Sequence, residues 1–397
     1  MYFLKKHWTI FFATLYLCMI DCQNSGSIRI WNRHQVMKQN KEIIFCITTA
    51  LAAALVISGC SREGSRADST DHEKNKYYSI SVPEGQSLMR DYTNVSEVPG
   101  IPGARIAIVA KEMDLDYWEA VREGAEQAVN EMNEKYGYEG EDSVVLTMEG
   151  SDNGSDVEAQ INQIDTVLAE NPTALCISAV DVESCKPQLE AAVDNKIPVI
   201  ALESGVESPL LAATCETDNE EAAREAVQKL CAAIDDSGEI ALVTHTAAAK
   251  TAKDRMHGFL WELSLHPDVK VAANLVQNDT DSIETMVSTA IELHPDLKGV
   301  FCTNEQTAAE TLKTLKKLDR TDLTVVGFDA GEVQREAIAD GSEYGLICQN
   351  PRGMGYVSVI AAMFAASGEQ VDRHIDTGYC WIDQNNLNAE ESKVFLY

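Results

Sequence analysis

The chain has 397 residues, with 32 Lys and Arg against 63 Asp and Glu, a formal net charge of −31. So acidic a surface repels nucleic acid, whose binding relies on basic side chains neutralising phosphates, and no nucleic-acid partner is expected. The length exceeds what one hydrophobic core usually serves, so more than one domain is expected.

The first feature in chain order is an apolar run beginning near Ile43, preceded by Lys38 and Lys41 and closed by Ser58-Gly59-Cys60. A transmembrane helix needs about 20 apolar residues, and this run is shorter. A basic start, a short apolar middle and small residues at the end describe a secretory signal. The signal is assigned to 37–59, with Met37 the expected start of translation and Met1 the alternative, and all of 1–59 is set aside as leader. Ile57-Ser58-Gly59-Cys60 resembles the bacterial lipobox, which implies that Cys60 is acylated and becomes the first mature residue. Two or more acyl chains hold a protein at a bilayer where one does not. The expected location is therefore the extracytoplasmic face of the cell membrane, reached through Cys60. Residues 1–59 hold 6 basic and 2 acidic side chains, which leaves 26 against 61 beyond them.

Residues 60–100 are charged or turn-rich without periodicity and are expected to be a linker from the lipid anchor. A regular alternation follows. "RIAIVA" (105–110) has the continuous apolar character of a strand covered on both faces. Asp116 to Glu119 has capping-box spacing, and Val121, Ala125, Ala128 and Met132 then form one apolar stripe. "SVVLTM" (143–148) precedes a second such spacing at Ser155 to Glu158. "ALCISA", "PVIAL" and "LAATC" complete a first set of strands. "EIALVT", "VKVAANLV", "GVFCTN", "LTVVGF" and "YGLICQ" form a second. Strands alternating with helices at this interval predict an α/β fold with two doubly wound parallel-sheet lobes.

Seven of the eleven cysteines lie beyond Cys60: Cys176, Cys185, Cys215, Cys231, Cys302, Cys348 and Cys380. An odd number without CxxC spacing is neither a disulfide framework nor a zinc site, and buried thiols are expected. No metal and no cofactor is expected. G-x-S-x-G, Walker A, G-x-G-x-x-G and HExxH motifs are all missing, so the chain is expected not to be an enzyme.

In open parallel sheets ligands sit beyond the carboxyl ends of the strands. Lys111, Tyr117 and Trp118 follow the first strand, and Glu203 follows "PVIAL". In the second set Asn304 follows "VFCT", Asp329 follows "VVGF" and Gln349 ends "GLIC". Lys253 and Arg255, in "KTAKDRMHGF", either form a solvated helix face or point a donor into the cleft. Amides and carboxylates suit a neutral, hydroxyl-rich solute, and ring faces pack on the C–H face of a sugar. Each residue also has a structural alternative: the aromatics as core, and Asn304, Asp329 and Gln349 as helix caps.

"RIAIVAKEMDLDYWEAVREGAEQA", "ALCISAVDVESCKPQLEAAVDNKIPVIALESGV", "HPDLKGVFCTNEQTAAETLKTLKKL" and "LTVVGFDAG" resemble ribose-type (type I) substrate-binding proteins of bacterial ABC transporters. The resemblance covers about 104–397. It implies two Rossmann-like lobes joined by a three-strand hinge, the first holding 101–217 and 350–378, the second 218–349 and 379–397. Asn304, Asp329 and Gln349 match the family's sugar-contacting positions, and Tyr117 and Trp118 its stacking aromatics. Departures fall at Glu203-Ser204, where an Asp-Arg pair is expected, at Leu115 for an Asn, and at Lys253, with Arg255 nearby, for an Arg. Ribose is therefore not the expected ligand; another sugar, a polyol or a small hydroxylated signal is. The expected partners are that solute and an ABC transporter permease, with the protein a monomer. A subunit presenting its ligand to a membrane sensor kinase would use the same fold.

Overall fold

The computed structural model describes residues 90–397, apart from Asp114, Val182, Val206, Glu207, 246–248 and Asp279. The expected signal at 37–59 and Cys60 lie outside the described residues.

The first half alternates β1 (Arg105–Glu112), α1 (Asp116–Tyr136), β2 (Val145–Ser151), α2 (Val157–Ala169), β3 (Ala174–Ile177), α3 (Lys186–Asp194), β4 (Val199–Leu202) and β5 (Ala213–Glu216). The second continues with α4 (Asn219–Ala233), β6 (Gly238–Thr244), α5 (Lys250–Leu263), β7 (Val269–Val276) and α6 (Ile283–Leu293). It then runs through β8 (Leu297–Cys302), α7 (Glu305–Lys317), β9 (Thr324–Phe328), α8 (Glu332–Asp340) and β10 (Gly345–Gln349). Finally come α9 (Pro351–Ala366), β11 (His374–Asp376) and β12 (Tyr379–Ile382).

The strands form two six-stranded sheets of matching order, β11-β5-β4-β3-β1-β2 and β12-β10-β9-β8-β6-β7. All pairs are parallel except β12, which runs antiparallel to β10. In each sheet the order reverses beside the first strand, which opens a crevice at the carboxyl ends. β3, β4 and β10 are buried along their whole length, as the apolar runs predict for sheets covered on both sides. The chain passes between the sheets three times: after Glu216, after Gln349, and between Asp376 and Tyr379.

The second crossing returns α9 to the first lobe, where almost every side chain is buried. Its approach to α1 depends on two glycines. A Cβ on Gly355 would lie 1.9 Å from the Val121 carbonyl oxygen, and one on Gly124 equally close to that of Arg352. Any larger residue would force the helices apart.

Several boundaries differ from the sequence expectation. Residues 90–100 are not all linker: Tyr92 and Val98 are buried in the first-lobe core, and the Tyr92 hydroxyl donates to Asp372 Oδ2 at 2.8 Å. Lys135 Nζ, at the end of α1, donates to the carbonyls of Val95 and Ser96 at 2.8 Å each, fixing this strap. A run with few apolar residues gave no periodic signal because it packs as irregular chain. Asp116 does not cap α1; the N-cap is Leu115, which offers no side-chain acceptor. Asp156, not Ser155, caps α2, accepting from the Ala159 N–H. The last segment does not belong to the second lobe alone, because Tyr397 packs against the hydrophobic clusters of both lobes. All seven cysteines are free, six of them buried and Cys380 half-buried.

Candidate functional site

The strand ends of the two sheets bring together side chains from both lobes. On the first-lobe side, Lys111 near the end of β1 makes an ion pair with Glu203, Nζ to Oε2 2.7 Å. Both side chains are largely shielded, and Ser178 Oγ, just after β3, donates to the same carboxylate oxygen at 2.8 Å. Glu203 follows β4 with a left-handed backbone, φ +59°, an uncommon state for a residue with a side chain.

The second-lobe side is built around Asp329 and Arg255. Asp329 follows β9, also left-handed at φ +69°. Its Oδ1 accepts from Gln349 Nε2 at 2.6 Å and its Oδ2 from the Glu305 N–H at 3.2 Å. Burial pushes the Asp329 carboxyl up, and the Arg255 charge opposes that. Arg255 is 2% exposed, with Nε donating to Asn219 Oδ1 at 2.8 Å and Nη1 to the Thr303 carbonyl at 2.6 Å. Its guanidinium lies 4.0 Å over the Phe328 ring. Arg255 Nη2 and Gln349 Oε1 are buried polar atoms with no partner among the described residues.

The two sides share one field. The Tyr117 hydroxyl is raised well above its usual range by burial, then by Glu203 from its own lobe and Asp329 from the other. His245, just after β6, is held well below the usual range by burial, then by Arg255 of its own lobe and Lys111 of the other. Its Nδ1 lies 2.8 Å from Thr303 Oγ1. Tyr117 and Trp118 both pack in the first-lobe core, edge to face at 5.3 Å. Tyr117 meets Tyr397 edge-on at 5.5 Å, and the Tyr397 hydroxyl accepts the Ala330 N–H at 3.0 Å. This aromatic chain reaches from α1 to the second lobe.

Of the sequence candidates, Lys111, Tyr117, Glu203, Arg255, Asp329 and Gln349 therefore converge. Trp118 stands behind Tyr117. Asn304 is half-buried at the start of α7, its Oδ1 accepting the Thr307 N–H at 3.0 Å in a capping box, so the capping alternative holds for that oxygen. Lys253 is exposed and does not join the buried set. Two positions along a helix turn a side chain by about 200°, so Lys253 and Arg255 cannot both face inward. The Lys253 charge instead helps to lower Asp181 of the first lobe.

Neither His245 nor Tyr397 was among the sequence candidates. Position after a strand was a usable signal for His245; nothing local marks Tyr397. Lys250 and Glu216 were also missed. Lys250 Nζ, at the start of α5, reaches Glu216 Oε1 at the end of β5, 2.9 Å away across the first hinge crossing. Among the described residues, metal-ligand geometry occurs at Glu220, Asp254 and His257, outside the cleft, where Asp254 is already engaged by Lys250.

A family model described as "Periplasmic binding protein domain" matches residues 106–370. A ribose import binding protein of Salmonella typhimurium is 23% identical over 266 residues, covering 67% of this chain and 86% of that protein. A xylitol-binding protein of Mycolicibacterium smegmatis is 26% identical over 198 residues, 49% of this chain; the match spans only 57% of that relative's length. Among solved structures, a carbohydrate transporter solute-binding protein of Agrobacterium radiobacter, in complex with D-arabinose, superposes with a TM-score of 0.66. It is 24% identical, with 74% of this chain and 99% of that one covered. An ABC transporter solute-binding protein of Agrobacterium vitis with bound D-fucose gives a TM-score of 0.66 at 23% identity, covering 74% and 100%.

Proposed function

The chain belongs to the periplasmic binding protein family, and we propose that it captures a sugar or sugar-like hydroxylated solute between its lobes and delivers it to an ABC transporter permease. The observation that carries this reading is the pair of buried atoms without a partner among the described residues, Arg255 Nη2 and Gln349 Oε1, beside the Asp329 carboxylate. A buried donor, a buried acceptor and a carboxylate together match a group that both gives and accepts hydrogen bonds, as neighbouring hydroxyls do. Leaving them unpaired would cost about 1–3 kcal/mol each. Tyr117 supplies an aromatic surface alongside, and Asn304 stands at the neighbouring strand end. Relatives named for ribose and xylitol support the same chemistry. Binding without reaction is the role, since the groups present serve to hold and orient a solute.

Anchoring through Cys60 belongs to the same proposal, supported by the lipobox-like Ile57-Ser58-Gly59-Cys60. Cys60→Ala should release the protein from membranes or leave it unprocessed, read by fractionation and mass spectrometry of the N-terminus. The solute is tested by a thermal-shift screen of the soluble part against pentoses, hexoses and polyols. A ligand at 100 times its Kd adds about 2.7 kcal/mol to stability. The true solute should therefore raise the unfolding midpoint by about 4 °C, and Arg255→Met should abolish the shift. A screen in which no sugar or polyol moves the midpoint would overturn the reading.

A further inference from the structure

We propose that Cys348 and Cys380 form a reversible disulfide that ties together two of the three chain segments leading to the hinge. In the antiparallel ladder between β10 and β12, Cys348 stands directly opposite Cys380. Opposed residues in such a ladder have Cα atoms about 4.5–5.5 Å apart, within the span of about 4.4–6.8 Å that a disulfide bridges. The two side chains also share a face. Cys348 is part of the small apolar cluster of Ala330, Ile338, Leu346 and Ile382, and Cys380 packs against that cluster.

The reduced thiols point to separate acceptors, Cys348 Sγ to the Phe395 carbonyl at 3.1 Å and Cys380 Sγ to that of Trp381 at 3.4 Å. Rotation about each Cα–Cβ bond exchanges these weak contacts for the S–S bond. Among the described residues no other cysteine pair is placed this way. Cys176 on β3 and Cys215 on β5 have β4 between them. Cys231 lies within α4, and Cys185 and Cys302 face no cysteine across a ladder.

The oxidant is an external disulfide, small or protein-borne. Cys380, the half-buried partner, meets it first. Its thiol gives up a proton and attacks one sulfur of the oxidant; the other sulfur leaves as a thiolate and takes up a proton. Cys348 then loses its proton and attacks Cys380 Sγ, expelling the second half of the oxidant as a thiolate, which is protonated in turn. Two protein thiols and one external disulfide become one protein disulfide and two external thiols, with two electrons passed outward. Burial pushes the Cys380 thiol up to about 11 and Cys348 higher still, so attack on the closed, folded protein is slow. The bond forms during folding in an oxidising compartment, or while the hinge is open.

The consequence lies at the site itself. Gln349, which holds Asp329, directly follows Cys348, and Tyr379 at the third crossing directly precedes Cys380. Once bridged, these two crossings turn as one body, leaving the segment after Glu216 to move separately.

The test uses the full chain extracted from membranes in detergent. The protein is reduced, then unfolded and refolded in a buffer of oxidised and reduced glutathione. After alkylation under denaturing conditions and digestion, mass spectrometry should find the peptides of Cys348 and Cys380 joined, with the other buried thiols alkylated. Dithiothreitol should separate them. The oxidised protein should unfold at a higher temperature than the reduced one, and Cys380→Ser should lose both the linked peptide and that difference. Free, alkylated Cys348 and Cys380 in the refolded wild type, or a disulfide joining other cysteines, would overturn the proposal.

Discussion

Glu203 and Asp329 occupy the same place in the two lobes. Each is the first residue after the fourth strand of its sheet, and each has a left-handed backbone. Each N–H donates to a carbonyl of the fifth strand, Glu203 to Cys215 at 3.0 Å and Asp329 to Ile347 at 2.7 Å. Holding a non-glycine residue there costs on the order of 1–3 kcal/mol, a strain that collects at working positions. The two carboxylates are then used differently. Glu203 is satisfied inside its own lobe by Lys111 and Ser178. Asp329 leans on a neutral amide and a backbone N–H, and faces an arginine whose Nη2 has no partner among the described residues. Repetition of a fold therefore conserves where a charge is presented but not whether it is available. On this reading the second lobe grips the solute and the first shapes the wall against which it is held.

The largest test of that contrast is Asp329→Asn. Asparagine tolerates the left-handed backbone, so the change removes charge without adding strain. A hydrogen bond to a charged group is worth about 1.5–3 kcal/mol, so affinity for the solute identified by thermal shift should fall at least tenfold, measured by calorimetry. The unliganded unfolding midpoint should barely move. Equal losses of stability and affinity would make Asp329 a structural residue like its counterpart.

For Glu203 the order reverses, and stability should lead. Glu203→Gln or Lys111→Met alone leaves a largely buried charge without its opposite, and stranding a buried polar group in this way should cost about 1–3 kcal/mol of folding free energy. Affinity should change less than it does for Asp329→Asn. The double substitution should recover part of the loss, because neither charge is then stranded. Additive single effects in denaturant titrations would show that the pair is not coupled.

Much of this difference was beyond the reach of sequence. Strand ends could be located because β3, β4, β9 and β10 are short apolar runs, and that alone placed Glu203, Asp329 and Gln349. The Lys111–Glu203 pair joins residues from different strands, and no local spacing reveals that one carboxylate is neutralised. Lys253 and Arg255 were equivalent until the phase of α5 was fixed by its packing on α4, where Gly258 lies against the Glu220 carbonyl. Tyr397 and the strap around Tyr92 had no periodic signal, since each is placed by a contact with residues far away in the chain.

Acidity separates cleft from core with a smaller effect. Burial pushes Glu305 up to about 7, with Asp329, Asp116 and Glu112 adding and Arg335 opposing. Glu216 also reaches about 7 through burial, opposed by Lys250. Glu343, in the second-lobe core, reaches about 8 through burial, opposed by its bond from Gln334. In each case the folded protein keeps a proton that the unfolded chain loses near pH 4.5. Their contribution is complete below that value and lost as pH rises through 7 to 8. His245 has the opposite sign: its folded value is depressed, so its contribution is present above about 6.5 and lost as pH falls. Between pH 6.5 and 8.5 the carboxyls outweigh the histidines and thiols, and the midpoint should drop by roughly 2–5 °C. Glu343→Gln should flatten that fall without altering how affinity depends on pH. Glu305→Gln should flatten both. If Glu343→Gln changed the pH dependence of affinity, core and cleft would not be separate.

The smallest signal reports on the wall of the first lobe. Of the described tryptophans, Trp118 is buried, Trp261 is 49% exposed under Arg224, and Trp381 is half-buried on β12. Only Trp118 belongs to an aromatic chain that reaches the other lobe, through Tyr117 and Tyr397 to the Ala330 N–H. Lobe closure on a solute moves the second-lobe end of that chain against the first. Because only the closed form makes both sets of contacts, the solute shifts the population toward it. Ligand should therefore shift the fluorescence maximum by a few nanometres, and Trp118→Phe should remove most of that change while leaving affinity within about threefold, less than one factor of ten or 1.4 kcal/mol. The radius of gyration in solution scattering should shrink in both proteins. A fluorescence change that persists undiminished in Trp118→Phe would assign the signal to Trp381 beside the hinge, and the first-lobe wall would then be passive in closure. Scattering that stays constant at saturation would mean that the lobes do not close at all, and the contrast between a gripping lobe and a shaping one would lose its basis.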